Sequence, residues 1–228
     1  MGFFENSSLF LVLLTLAAYL LGEWCRKRTG SVLCNPFIVA VVLVIGVLSV
    51  LRIDNATYQK ANQVYAMFLT PATICLALPL YRQLRVLRGD LWAVLAGVAA
   101  GTVVSLITVL VPLKIINMEQ SLAVSILPKG ITTALAVALS EEYGGIPSIT
   151  AAMVACAGTF GSIFGRLLCR LFHIHSGVAV GVAFGTASHV IGTSTASEIS
   201  ETAGAAGSLA LIISGLLTAV LFPLITAL

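Results

Sequence analysis

Residues 131–148 read ITTALAVALSEEYGGIPS, and residues 191–208 read IGTSTASEISETAGAAGS. The second stretch repeats the first at a shift of 60 positions, with Ser-Glu, Gly and Ser at the same spacing. One ionisable residue precedes each copy in an apolar setting, Lys129 and His189. A duplicated polar element among apolar segments is typical of a transporter whose site lies between two repeats. The identical positions are Ile131/Ile191, Thr133/Thr193, Ala136/Ala196, Ser140/Ser200, Glu141/Glu201, Gly144/Gly204 and Ser148/Ser208.

The composition is that of an integral membrane protein. Of the 228 residues, 59% are hydrophobic and only 9% are charged, whereas a soluble domain carries about 25% charged residues. The apolar segments are long and do not alternate with period two, so they predict helices rather than barrel strands. We therefore expect an all-α polytopic membrane protein.

Several function classes have no support in the sequence. The net charge of +3 includes no basic patch interleaved with aromatic residues, so we expect no nucleic-acid partner. The five cysteines lack metal-ligand spacing, and we expect no metal site. No HExxH, Walker or GxSxG motif is present, so we expect neither an enzyme nor a bound cofactor.

Six segments are apolar and long enough to be membrane-spanning candidates, for which about 20 residues are typical. The third contains Pro71 and Pro79 and should kink. The first lacks a basic n-region and is followed by Arg26-Lys27-Arg28, so it reads as a retained helix rather than a signal peptide. The six segments are Ser7–Trp24, Pro36–Leu51, Gln63–Tyr81, Leu91–Leu113, Ile149–Phe172 and Ser208–Leu228.

Two further regions, Met118–Glu142 and Ser176–Glu201, contain the duplicated element. A polar break cuts each of them, Pro128-Lys129-Gly130 in the first and Ser188-His189 in the second. An arm of about 10 residues is about 15 Å long, half the thickness of the hydrocarbon. Each region is therefore either one crossing helix with a central break or a re-entrant hairpin whose tip reaches the midplane.

Loop charges favour the hairpins. The positive-inside rule places Arg26-Lys27-Arg28 in the cytoplasm, and only the hairpin topology also brings Arg166 and Arg170 there. Cytoplasmic loops then hold eight basic residues (26, 27, 28, 82, 85, 88, 166, 170) and external loops three (52, 60, 114). The two hairpins enter from opposite faces and form an inverted repeat. We expect a multi-pass protein of the cytoplasmic (inner) membrane with both termini outside.

The same topology predicts the organisation of the chain and its site. Residues 1–114 would form scaffold helices, and residues 115–173 and 174–228 the two transport repeats. The second arm of each hairpin begins at the tip, where a helix N-terminus, hydroxyl groups and the Lys129 ammonium favour a small carboxylate. The predicted substrate-binding residues are Lys129, Gly130, Thr132, Thr133, His189, Gly192, Thr193, Ser194 and Thr195.

Alternative roles stay open for several of these side chains. The Thr and Ser hydroxyls would also satisfy the broken backbone, and Lys129 would also suit a structural ion pair with Glu141, Glu142, Glu198 or Glu201. His189 suits either proton coupling or one hydrogen bond that holds its tip. Glu141, Glu198 and Glu201 are coupling or gating candidates or interfacial carboxylates, and the coupling ion, proton or sodium, is open. The glycines 158, 161 and 165 have the spacing of close helix packing.

Three blocks carry a resemblance to a known family. PKGITTALAVALSEEYGGIPSITA (128–151), GTASHVIGTSTASEISETAGAAGSLA (185–210) and FLTPATICLALPLYRQ (68–83) resemble the LrgB/CidB family of membrane proteins. Lys129 and His189 match the family pattern, whereas Gly130 stands where the family usually has Ser. The resemblance implies a holin/antiholin-like modulator of murein hydrolase activity and cell lysis, with a smaller LrgA/CidA-type partner. Its plant relative, a plastidic glycolate/glycerate translocator, and bacterial relatives linked to pyruvate imply carboxylate transport.

The sequence thus predicts a secondary transporter of small monocarboxylates that works by alternating access. The alternative is the holin/antiholin-like modulator. Analogy with elevator-type carriers predicts a homodimer.

Overall fold

The computed structural model describes residues 8–29, 36–65, 67, 68, 71 and 89–226, and the regular structure of these residues is helical. This part of the chain contains nine helices. They are α1 (Ser8–Thr29), α2 (Pro36–Leu51), α3 (Asn55–Ala61), α4 (Leu91–Ile115), α5 (Gln120–Ile126), α6 (Thr133–Glu142), α7 (Pro147–Leu171), α8 (Gly177–Ile199) and α9 (Glu201–Thr226). The prediction of an all-α polytopic membrane protein is confirmed. Most of the predicted third spanning segment and the basic loop after it lie outside the described residues.

The chain divides into two compact units, residues 1–77 and 78–228. The second unit includes α4, which the sequence analysis grouped with the scaffold. Contacts between α4 and later elements explain the difference: Thr102 Oγ1 donates to Ser214 Oγ of α9 at 3.1 Å, and Gly101 approaches Thr186 of α8. The assignment of separate scaffold and transport roles to different parts of the chain stays a prediction.

Within the first unit, α1 and α2 meet where Gly22 lies against the backbone of Pro36. The short helix α3 was not predicted. Asp54 begins it by accepting a hydrogen bond from Ala56 N at 3.2 Å, and the Tyr58 hydroxyl lies 2.9 Å from Thr15 Oγ1 of α1. Seven residues are too few for a helix to be stable alone, so these contacts hold α3 in place.

Two helix ends differ from the sequence prediction for local reasons. Helix α1 continues past Trp24 to Thr29, and the Arg28 guanidinium lies 5.1 Å from the centre of the Trp24 ring. Helix α9 begins at Glu201, seven residues before the predicted start. Ser200 causes the earlier start because its Oγ accepts a hydrogen bond from Ala203 N at 3.1 Å, as a helix cap does.

Five described helices are long and apolar enough to cross a membrane: α1, α4, α7, α8 and α9. Helix α8, however, folds back on itself at Ser188 and His189, whose backbone angles are not helical. Gly177 and Ser200, at its two ends, lie side by side: a Cβ at Gly177 would be 3.2 Å from Ser200 Oγ. In a straight helix they would be about 35 Å apart. We call this folded helix hairpin 2.

The chain also reverses between α5 and α6, which we call hairpin 1. Ser125 Oγ of α5 accepts a hydrogen bond from Ile146 N at 2.6 Å, and Ser140 Oγ of α6 accepts one from Thr150 Oγ1 at 2.6 Å. Both arms therefore meet the N-terminal end of α7. We call the open end of a hairpin, opposite its tip, the mouth. The mouth of hairpin 2 lies at the other end of α7, where Arg166 and Glu198 form an ion pair of 2.8 Å. The two hairpins thus approach the middle of α7 from opposite ends, whereas their entry into a membrane from opposite faces stays a prediction.

Three glycines of α7 form the groove that receives hairpin 2. A Cβ at Gly158 would lie 2.6 Å from His189 Nε2, and Cβ atoms at Gly161 and Gly165 would overlap the Ser188 side chain and the Phe184 ring. The predicted close-packing role of these glycines is confirmed. Their partner is a hairpin tip and its first arm.

Replacing Gly161 by alanine should destabilise the second unit, because the new methyl group overlaps the buried side chain of Ser188. We expect a loss of about 1–3 kcal/mol in unfolding free energy, measured as a lower melting temperature of the solubilised protein. Gly46→Ala is the matched control, since a Cβ there meets nothing within 4 Å. Equal melting temperatures for the two variants would contradict this packing.

Candidate functional site

The tip of hairpin 2 is bonded to α7 through the side chain of His189. His189 is 3% exposed, and its Nε2 lies 2.8 Å from the carbonyl oxygen of Val154 in α7. Because a carbonyl only accepts, Nε2 carries the proton in this arrangement. The backbone of His189 has φ of 43°, a left-handed conformation that costs about 1–3 kcal/mol for a residue other than glycine. The bond to Val154 and the surrounding packing offset this strain.

The tip of hairpin 1 lies directly beside the tip of hairpin 2. A Cβ at Gly130 would be 3.1 Å from the carbonyl oxygen of Thr186 and 3.3 Å from Ser105 Oγ of α4. A side chain at position 130 would therefore crowd this junction, which is a local reason for glycine. The tips share a cavity of about 10 Å³ with polar side chains from the middle of α4 and α9, namely Thr102, Ser105, Ser214 and Thr218.

The sequence repeat also relates the packing of the two tips. The tip of hairpin 2 contacts Val154 and Gly158 of α7. The shift of 60 carries these two residues onto Ser214 and Thr218 of α9, which line the cavity at the tip of hairpin 1. Each tip therefore lies against the long helix of the other repeat.

Lys129 of hairpin 1 projects toward a cleft of about 650 Å³, which we call the Lys129 cleft. It runs along α7 between that helix and the first arm of hairpin 2. The described lining residues include one charged group, Lys129, and one hydroxyl, that of Ser188. The rest are apolar residues, glycines and thiols: Met153, Cys156, Ala157, Phe160, Gly161, Gly165, Leu168, Cys169, Phe172, Ile174, Ala183, Phe184 and Ala187.

Within the described part of the chain, no carboxylate lies within 4.0 Å of Lys129 Nζ. Glu198 pairs instead with Arg166, while Glu141, Glu142 and Glu201 are exposed on their helices. The described residues therefore provide no partner for the structural ion pair that was the alternative role of Lys129. An ammonium group at membrane depth costs about 2.5–3.5 kcal/mol or more unless it is hydrated or paired.

The hydroxyl groups of the second arms have two different surroundings. In hairpin 2, Thr193 Oγ1 donates to His189 O at 2.8 Å, and Thr195 Oγ1 donates to Ile191 O at 3.2 Å. Both hydroxyl protons are therefore bonded to backbone carbonyl groups of the same arm. Ser194 is exposed, and Gly192 packs against the backbone of Phe184.

In hairpin 1, Thr132 takes the N-cap position of α6 without a side-chain cap bond, and Thr133 is exposed. The first amide groups of α6 have no partner within their own helix, because no earlier turn supplies a carbonyl. Helix α6 begins at Thr133, four residues after Lys129, at the same tip. A helix N-terminus close to a cation favours an anion.

The matched serines of the repeat close the mouths of the hairpins. Ser140 packs against Gly145 and accepts from Thr150, and Ser200 lies beside Gly177 and caps α9. The matched glycines differ in role: Gly144 has φ of 82° in the turn after α6, whereas Gly204 lies within α9 against Ser197.

The α7 side of the Lys129 cleft was not predicted from the sequence. Met153, Cys156, Ala157 and Phe160 are ordinary residues of a spanning helix, and nothing in their pattern marks them. A signal did exist for the cavity between the tips, because Thr102, Ser105, Ser214 and Thr218 are hydroxyl residues in the middle of otherwise apolar helices.

Comparison with known proteins assigns the family. A sequence model described as the LrgB-like family matches residues 15–228. The antiholin-like protein LrgB of Bacillus cereus (strain B4264) is 34% identical over 216 residues, which cover 94% of this chain and 94% of that protein. The antiholin-like protein LrgB of Bacillus anthracis (strain A0248) matches to the same extent. The chain belongs to the LrgB family.

The LrgB match includes both hairpins and extends into α1, so the resemblance predicted from three blocks is confirmed over nearly the whole chain. No solved structure matches this chain.

His189→Ala should destabilise the LrgB protein by about 1–3 kcal/mol, because it leaves a strained tip without its hydrogen bond to Val154. Thermal unfolding of the solubilised protein measures the loss. His189→Gln retains an amide donor at similar reach and should recover part of the stability. His175→Ala is the control, since His175 is exposed. A melting temperature of His189→Ala equal to that of the wild type would rule out the positioning role of His189.

Proposed function

We propose that this member of the LrgB family is a carrier of small monocarboxylates across the bacterial cytoplasmic membrane. The observation that carries the proposal is Lys129, a half-buried ammonium group at a hairpin tip with no carboxylate partner in the described part of the chain. A carboxylate substrate would supply the missing charge. The N-terminal amide groups of α6 supply further donors for the same anion.

The packing of the tips supports movement by alternating access. The hairpins approach the middle of α7 from opposite ends, and each tip packs against the helix of the other repeat. Sites at the interface of inverted repeats are the usual arrangement in secondary transporters. Both termini outside, a homodimer and coupling to protons or sodium belong to this proposal. Since His189 donates to Val154, we assign it a positioning role first.

The second candidate function is antiholin-like regulation. It is favoured by the names of the relatives, "antiholin-like protein LrgB", more directly than transport is. In this reading the protein modulates murein hydrolase activity and lysis together with an LrgA/CidA-type membrane partner. The carrier proposal is supported by the geometry of the hairpin tips. The regulatory proposal is supported by the similarity of this chain to proteins named antiholin-like.

Uptake into proteoliposomes tests the carrier directly. The acids to be tested are radiolabelled glycolate, glycerate, pyruvate and lactate. We expect saturable uptake of at least one of them. Lys129→Ala should weaken its apparent affinity by about 10- to 100-fold, since a hydrogen bond to a charged group contributes about 1.5–3 kcal/mol. Lys129→Arg keeps the charge and should retain part of the activity. Lys60→Ala, on the exposed face of α3, is the control. No saturable uptake, or unchanged uptake by Lys129→Ala, would contradict the proposal.

A lysis assay separates the two candidates. Cells that lack their own copy are complemented with the wild type or Lys129→Ala, and murein hydrolase activity and autolysis are measured. If regulation depends on transport, Lys129→Ala fails to complement. Full complementation by a variant that has lost uptake would assign the physiological role to a contact with a partner instead.

A further inference from the structure

The second unit contains another cleft, on the side of hairpin 1. It has a volume of about 530 Å³, and we call it the Lys114 cleft. It lies between the C-terminal ends of α4 and α9 and the first arm of hairpin 1. Its described lining residues are Leu110, Leu113, Lys114, Asn117, Met118, Gln120, Ala123, Val124, Leu127, Ile225 and Thr226.

The repeat relates the two clefts residue by residue. At the shift of 60, Ala123, Val124 and Leu127 of the Lys114 cleft correspond to Ala183, Phe184 and Ala187 of the Lys129 cleft. The same shift pairs Lys114 with Ile174, and Ile225 with Gly165. Equivalent faces of the two hairpins and of the two long helices therefore form both clefts.

The two clefts open at opposite ends of the unit. The first arm of hairpin 2 runs parallel to α9, since Gly177, Gly181 and Gly185 meet Thr202, Ala206 and Ala210 in that order. The same arm runs antiparallel to α7, because Phe184 meets Gly165 and Ser188 meets Gly161. Helices α7 and α9 are thus antiparallel. The Lys129 cleft includes Phe172 beyond the end of α7, and the Lys114 cleft includes Thr226 at the end of α9.

Only one of the clefts reaches the tips. The Lys129 cleft extends from Phe172 past Gly161 to Ser188 and Lys129. The described lining of the Lys114 cleft stops at Leu127, which is 4% exposed and packs in a core cluster with Ile131 and Phe222. The larger side chains of Leu127 and Ile225 stand where the other repeat has Ala187 and Gly165.

We infer that the two clefts are the two access routes to Lys129, one from each side of the membrane. The Lys129 cleft is the open route in this conformation and the Lys114 cleft the closed one. The Lys129 cleft lies at the end that carries Arg166 and Arg170, which the loop charges assign to the cytoplasm. The use of the clefts by a substrate rests on the proposed carrier function, whereas their opposite sidedness does not.

Matched cysteines test the sidedness. In the full-length protein with its native cysteines replaced by serine, Ala183→Cys and Ala123→Cys place one thiol in each cleft at repeat-equivalent positions. A membrane-impermeant methanethiosulfonate reagent should modify Ala183→Cys from the cytoplasmic side only and Ala123→Cys from the external side only. Modification of both thiols from the same side overturns the inference, whether or not the protein transports an acid.

Ala187→Leu tests the route to Lys129, because it fills the Lys129 cleft with the side chain that the other repeat carries. Uptake of the transported carboxylate should fall by about tenfold or more. Ala152→Leu makes the same change on an exposed position of α7 outside both clefts and should leave uptake close to that of the wild type. Unchanged uptake by Ala187→Leu removes the Lys129 cleft as the route. If the wild type moves no acid while the two thiols react from opposite sides, the carrier proposal fails and the two-sided clefts stand.

Discussion

Backbone groups freed by a helix break within a membrane must find partners inside the protein, and the second unit is built around this constraint. The two breaks meet where Gly130 lies beside the carbonyl of Thr186, and His189 of the second break is bonded to the carbonyl of Val154 in α7. The surrounding helices supply hydroxyl groups or glycines at the same level. Because two breaks share one junction, the polar atoms of both hairpins are concentrated in the middle of the unit.

The two repeats use this junction differently. In the second, a strained His189 is locked onto α7, and the threonine hydroxyls of the following arm donate to their own helix. In the first, Lys129 projects toward a cleft, and the helix that follows begins without a side-chain cap. A fixed tip beside an ammonium group that has no carboxylate partner among the described residues, and beside a helix N-terminus, is an arrangement suited to holding a small anion. Both copies of the repeat thus form a hairpin, and the residues that differ between the copies give the two tips different contacts.

Much of this arrangement could be predicted from the sequence. Loop charges and arm lengths indicated reversals at Pro128-Lys129-Gly130 and Ser188-His189, where the chain does reverse. The early start of α9 was missed because the Ser200 cap acts through one local hydrogen bond. The wall of the Lys129 cleft was missed because Met153 and Phe160 become part of a site only when the hairpin packs beside them. Contacts between distant segments leave no mark in hydropathy or charge.

The geometry of the tips leads to the central proposal, that two hairpins bring one site to the middle of the membrane from opposite faces. The most direct measurement is the side of the membrane on which each hairpin mouth lies. Cysteines at Glu142 and at His175 would be treated with an impermeant biotin maleimide in intact cells and after permeabilisation. The account predicts that Glu142→Cys reacts in intact cells and that His175→Cys reacts only after permeabilisation. Reaction of both cysteines in intact cells, or of neither until the cells are permeabilised, would contradict it.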